Sequence, residues 1–140
     1  MSDKFRSGDV IRYPYLWHWQ HAAGRLNAEK DRPVCLALAL PDKNKALTHL
    51  IIVAISGTAP LPKQRAIEIP DLEIKRAGLS AYKRAWLSVG EYNYDIAEKS
   101  FFFEPDQRPR GRFSDVFLKR ILREVRQTIE IHSGRVDRTL

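Results

Sequence analysis

The chain has 140 residues, 44% apolar and 29% charged, which is the balance of a globular domain large enough to bury a core. Its 24 basic and 17 acidic side chains leave a net charge of +7, which favours polyanionic partners, either nucleic acid or acidic protein. No apolar run reaches the roughly 20 residues of a membrane-spanning helix, the first residues lack a signal-peptide core, and Cys35 is alone, so no membrane association and a reducing cytoplasmic location are expected.

Asp9 to Tyr15 predicts a strand with Ile11, Tyr13 and Tyr15 on one face, and Pro14 marks its end or a sheet edge. Residues 16–31 read as a long polar loop carrying Trp17, His18, Trp19 and His21. Pro33 to Leu40 predicts a strand buried on both faces, with Val34, Leu36, Leu38 and Leu40 on one side and the small Cys35, Ala37 and Ala39 on the other. Thr48 to Ile55 is apolar on both faces and predicts a central strand, ended by Ser56-Gly57-Thr58 and by Pro60 and Pro62. Ala66 to Ile69 predicts a short strand, and Asp71 to Ala77 a short helix stopped by Gly78. Ala85 to Val89 alternates around Trp86 and leads into Gly90-Glu91-Tyr92-Asn93, while Phe101 to Phe103 is a candidate last strand. After an Arg-rich loop over 104–112, Ser114 caps a helix whose Phe117, Ile121, Val125 and Ile129 form an apolar stripe, with basic residues from Lys119 to Arg126 on its other faces. Residues 133–140 read as a flexible polar tail, leaving one domain over 1–132. Short connections favour antiparallel pairing, so the expected fold is mainly β, a small antiparallel barrel with one C-terminal helix.

Certain segments stand in a telling order. Ser7-Gly8-Asp9-Val10 opens the first strand, Asp31-Arg32-Pro33-Val34 the second, and Val53-Ala54-Ile55-Ser56 closes the third. A basic loop, the extended Glu68-Ile69, Trp86-Leu87-Ser88-Val89-Gly90-Glu91 and an amphipathic helix follow. Over nearly the whole chain this order resembles the PemK/MazF-like toxins of type II toxin–antitoxin systems. The resemblance implies an SH3-like barrel, a homodimer, cofactor-free and metal-independent cleavage of single-stranded RNA, and restraint by an acidic antitoxin. It places the family's functional Arg on Arg32, just before Pro33, and its strand-end hydroxyl, usually Thr, on Ser56. Relatives also tend to carry Glu where Glu91 stands, and Thr58 is a rival hydroxyl.

Metal-free RNA cleavage needs a proton taken from the 2′-OH, a stabilised phosphate and a proton given to the 5′-oxygen. A guanidinium suits the phosphate and is a reluctant base, so Arg32 takes that task and Ser56 orients a phosphate oxygen or the 2′-OH. Plainer readings stand beside these. Arg32 is otherwise a solvated strand-end charge, Ser56 a cap on local backbone, and Glu91 an ion-pair partner for Arg32 instead of a base. Lys63 and Arg65, in the loop after Ser56, are candidates for the RNA backbone. Trp17 and Trp19, with Arg25 nearby, offer stacking platforms for unpaired bases, or else fold back on the barrel or a dimer partner. His18 and His21 lack the further ligands of a metal site. The long segment before Arg32, and Ser in place of Thr at 56, leave an alternative: a catalytically silent module that binds nucleic acid or a protein.

Overall fold

The computed structural model describes residues 5–28 and 30–139. Its longest ladder joins the most apolar stretches: β2 (Arg32–Asp42) and β3 (Leu47–Ser56) pair antiparallel. β1 (Asp9–Tyr13) flanks β2, and the short β7 (Gly111–Arg112) flanks β1. The far side of β3 is shared: β5 (Trp86–Ser88) takes its end and β6 (Tyr92–Ile96) its first half. β4 (Ala66–Glu68) lies outside β5, and β8 (Arg135–Asp137) lies outside β6. Every pairing is antiparallel except β6–β8, whose long connection holds α3 (Asp115–Glu130). The described residues are thus mainly β, an eight-stranded sheet with three short helices, the longest near the C-terminus. None of the described helices is long and apolar enough to cross a membrane.

Central strands need cover on both faces, and the sequence supplies it. One face packs Val10, Cys35, Ala37, Val53, Ile55 and Leu87 beneath α3's Phe117, Ile121 and Val125. Small side chains at Cys35 and Ala37 let the helix approach, and burial pushes the Cys35 thiol pKa far up. The other face packs Ile11, Tyr13, Tyr15, Val34, Leu36, Leu50, Ile52 and Ala54 beneath Phe5, Trp17, Phe102 and Phe103. The alternation expected along Val34, Leu36, Leu38 and Leu40 breaks midway. Between Leu36 and Leu38 β2 advances two residues while β3 advances one. Beyond that bulge the faces exchange, so Ala39 joins the second core and Leu40 is 51% exposed.

Three expectations give way. The loop over 16–31 contains a short helix, α1 (His18–Ala22), where Trp17 N–H donates to the Gln20 side chain at 3.0 Å. Phe101 to Phe103 forms no strand, and the strand is β6, which turns Tyr92 to the first core and the fully buried Asn93 and Asp95 to the second. The region read as a polar tail, 133–140, carries β8. Val136 is fully buried, and Arg138, at 3% exposure, donates from Nη1 to Pro14 O (2.7 Å) and Asn93 Oδ1 (3.1 Å). Leu140 lies outside the described residues. A polar strand can bury when partners await each of its groups, and sequence pattern does not record the partners.

α3 begins where the sequence places it, with Ser114 Oγ accepting from Phe117 N–H at 3.2 Å. The cap is itself anchored. Ser114 donates through N–H (2.9 Å) and Oγ–H (2.6 Å) to the buried carboxylate of Glu73 in α2 (Asp71–Arg76), which Arg76 also binds at 2.9 Å. Burial works against the Glu73 charge, but these hydrogen bonds outweigh it and hold its pKa below the ordinary 4.5. Its stabilisation is therefore complete above pH 4.5 and lost as pH falls through the lower folded value. Glu73→Gln should cost about 1.5–3 kcal/mol in denaturant unfolding at neutral pH, and the gap to wild type should narrow steadily as pH falls below 4.5.

Candidate functional site

Strand register assembles one rim of the sheet. Tyr13 pairs with Arg32, Ser56 with Trp86, and Glu68 with Trp86. Carrying the Val34–Ala54 rung on by two residues sets Arg32 opposite Ser56. Opposed residues of an antiparallel ladder project to the same face, so Glu68, Trp86, Ser56, Arg32 and Tyr13 form a row on the side of the second core. Arg32 and Ser56, far apart in sequence, thus stand at the same end of adjacent strands.

Beyond β1 the chain passes Tyr15 and Trp17 alongside Arg32. Asn93 pins this passage, accepting from Leu16 N–H at 2.9 Å and donating to Leu16 O at 2.7 Å. The half-buried Arg32 guanidinium lies 5.0 Å from the Trp17 ring centre and has no ion-pair partner among the described residues. A cation over an indole is stabilised by the ring's quadrupole while its N–H edge stays open to an anion. Arg32, Lys30, Tyr15, Trp17, Trp19 and Gln20 line a hollow of about 170 Å³. Trp19 is 59% exposed there, with Arg25 stacked 5.5 Å from its ring.

Glu91 supports this hollow from behind. Its Oε1 accepts from Tyr15 OH (3.0 Å) and from His18 N–H (2.9 Å), tying the start of α1 to the approach of β6. Burial raises its pKa, against the opposing pull of the His18 and Tyr15 hydrogen bonds. Burial and the adjacent Glu91 hold the Tyr15 hydroxyl well above its usual range, so it stays protonated. The ion pair expected between Glu91 and Arg32 is replaced by these two bonds. Glu91 also lines a second hollow, about 250 Å³, with Lys63, Gln64, Arg65, Ser88, Gly90 and Ile131.

The other candidates separate. The Ser56 hydroxyl accepts from Thr58 N–H at 3.0 Å and faces Thr58 O at 3.4 Å, closing its own turn outside the Arg32 hollow. Gly57 in that turn lies beneath Tyr82, whose ring would stand 2.8 Å from an added Cβ. Thr58 and Lys63 are exposed. Arg65 is committed to α3, donating to Thr128 Oγ1 (2.8 Å), Glu124 O (2.8 Å) and Glu124 Oε1 (3.1 Å). Sequence reasoning missed Lys30, Tyr15 and Trp86 as rim residues. Trp86 stacks under Arg84 at 4.9 Å, and Arg84 forks onto Glu68. Only the cross-strand register connects Trp86 to Arg32. No three described His, Cys, Asp or Glu side chains come together in a way that could hold a metal ion.

In comparisons with models of protein families and with curated proteins, nothing matches the chain.

The buried Glu91 charge gives a test of the support. With its folded pKa raised, the ionised carboxylate opposes folding, so its share of stability is greatest below pH 4.5 and is lost as pH rises through the folded value. Glu91→Gln keeps the acceptor and removes the charge, and should be at least as stable as wild type at pH 7. Glu91→Ala strands the Tyr15 hydroxyl and the His18 amide and should cost about 1–3 kcal/mol. Denaturant unfolding of both variants decides; equal losses would mean that the charge itself is required.

Proposed function

We propose that the protein is a metal-independent endoribonuclease of the PemK/MazF type, acting on single-stranded RNA and restrained in the cytoplasm by an acidic antitoxin. In this reading the sheet closes as a small SH3-like barrel and the chain works as a homodimer. One observation carries it: Arg32, unpaired among the described residues and stacked on Trp17, opens into a rim hollow one strand away from Ser56.

The chemistry follows from what such a hollow offers. Arg32 binds two phosphate oxygens bidentately, Lys30 adds charge, and the exposed indole of Trp19 takes an unpaired base. The 2′-OH gives its proton to solvent water and attacks the adjacent phosphorus as the bond to the 5′-oxygen breaks, water returns a proton to that oxygen, and Arg32 neutralises the crowded phosphate between them. Ser56 or Thr58 orients the reacting oxygens. A second reading, binding of nucleic acid or a protein without cleavage, is favoured by the Ser56 hydroxyl, which is committed to Thr58.

Purified protein should cut long unstructured RNA in the presence of EDTA. Arg32→Ala should slow cutting by about 100-fold or more while leaving the fold intact. Ser56→Ala should lose less if Thr58 shares its task. Folded wild type that leaves a broad panel of RNAs intact, yet binds them with steep salt dependence, would establish the second reading and remove the first.

A further inference from the structure

α3 buries Phe117, Leu118, Ile121, Val125 and Thr128, and its Phe117, Ile121 and Val125 belong to the first core. At 3.6 residues per turn the opposite face carries Lys119, Arg123 and Arg126, with Arg120 on its flank, and all four are exposed. None of the four has an ion-pair partner among the described residues, while neighbouring carboxylates are engaged: Glu124 with Arg65, Asp115 with Arg112, and Glu73 with Arg76. Glu130 ends the strip one turn beyond Arg126. Arg123 lies one turn from Lys119, Arg120 and Arg126, spacings at which like charges weaken a helix. The pattern therefore works against local helix stability.

From this charge distribution we propose that the outer face of α3 is a docking strip for the phosphodiester backbone of a single-stranded nucleic acid. Protein interfaces set their aromatic or Arg anchors among apolar groups that exclude water from the centre. Between Lys119 and Arg126 this face offers none, and the exposed Val116 and Ile131 lie beyond its two ends. A phosphate chain needs only charge, and the planar forks of Arg120, Arg123 and Arg126 suit phosphate oxygens. Lys119 and Arg126 stand about 10 Å apart along the axis, room for a short run of backbone. The strip faces away from the first core, whereas Arg32 lies on the side of the second, so the proposal does not rest on the nuclease reading.

The test uses the whole protein and a fluorescein-labelled oligodeoxythymidine, which lacks the 2′-OH and so cannot be cut by that route. Anisotropy is measured over roughly 50 to 200 mM salt for wild type, K119Q/R123Q/R126Q and R32A. The triple variant should bind at least about tenfold more weakly at the lowest salt, and its plot of log affinity against log salt should be shallower by about 2. Its thermal midpoint should equal or exceed that of wild type. Unchanged affinity and slope in the folded triple variant would overturn the proposal. So would loss of binding to polyglutamate with oligonucleotide binding retained, which would mark a protein-docking face instead. If the variant fails to fold, protection of Lys119 in wild type from an amine-reactive reagent decides: the oligonucleotide should protect it, and labelling at the free-protein rate would refute the strip.

Discussion

The register of the β2–β3 ladder is the constraint on which the rim depends. Side chains alternate along a strand, so a slip of one residue would turn Arg32 and Ser56 to opposite faces. Burial on both sides prevents the slip. Val34 and Leu36 fill the second core, while Cys35 and Ala37 leave the space that α3 occupies. A slip would drive bulky side chains into the helix and open cavities beneath Trp17, and core errors of that kind cost several kcal/mol. The bulge after Leu36 exchanges the faces only in the half of the ladder leading to the hairpin, so the rim half keeps a single alternation.

A second layer of order comes from buried polar groups. Arg138 reaches from the end of the chain to Pro14 O and Asn93 Oδ1, and Asn93 grips both backbone groups of Leu16. Burial pulls the Arg138 pKa down, and Nη2 finds no hydrogen-bond partner among the described residues, yet the guanidinium rests 3.8 Å from the Phe102 ring centre and near Tyr13. Partnered on most sides, such a cation is tolerated, and it fixes one arrangement of the segment that carries Tyr15 and Trp17. Glu91 holds the next residues through His18 and Tyr15. The aromatic wall of the Arg32 hollow is thus built by residues from β6 and from beyond β8, far from it in sequence.

The sequence made the strongly patterned parts legible for plain reasons. β2 and β3 are long and apolar, the Ser114 cap and the stripe of α3 follow helical spacing, and Gly78 takes the positive φ that ends α2. What escaped was polar and buried. β6 is covered on both faces, with Tyr92 and Tyr94 toward the first core and the buried polar Asn93 and Asp95 toward the second, and β8 is brief and flanked by charges. The site was legible in the same uneven way. Arg32 and Ser56 announce themselves as strand ends, and the ladder alone brings them to one rim. That the Ser56 hydroxyl bonds to Thr58, that Arg65 serves α3, and that Glu91 holds Tyr15 instead of Arg32 are facts of side-chain geometry that residue order does not encode.

The claim that a phosphate chain is received at Arg32 beside Trp17 is tested most directly by nuclear magnetic resonance. A 2′-O-methylated single-stranded RNA, which cannot supply the attacking hydroxyl, is titrated into labelled protein while the Arg32 Nε–H and Trp17 indole N–H signals are followed. The account requires both signals to shift together and saturate at one common affinity, with the backbone amides of Ser56 and Thr58 responding in step. Saturating binding that leaves Arg32 and Trp17 unmoved would contradict it.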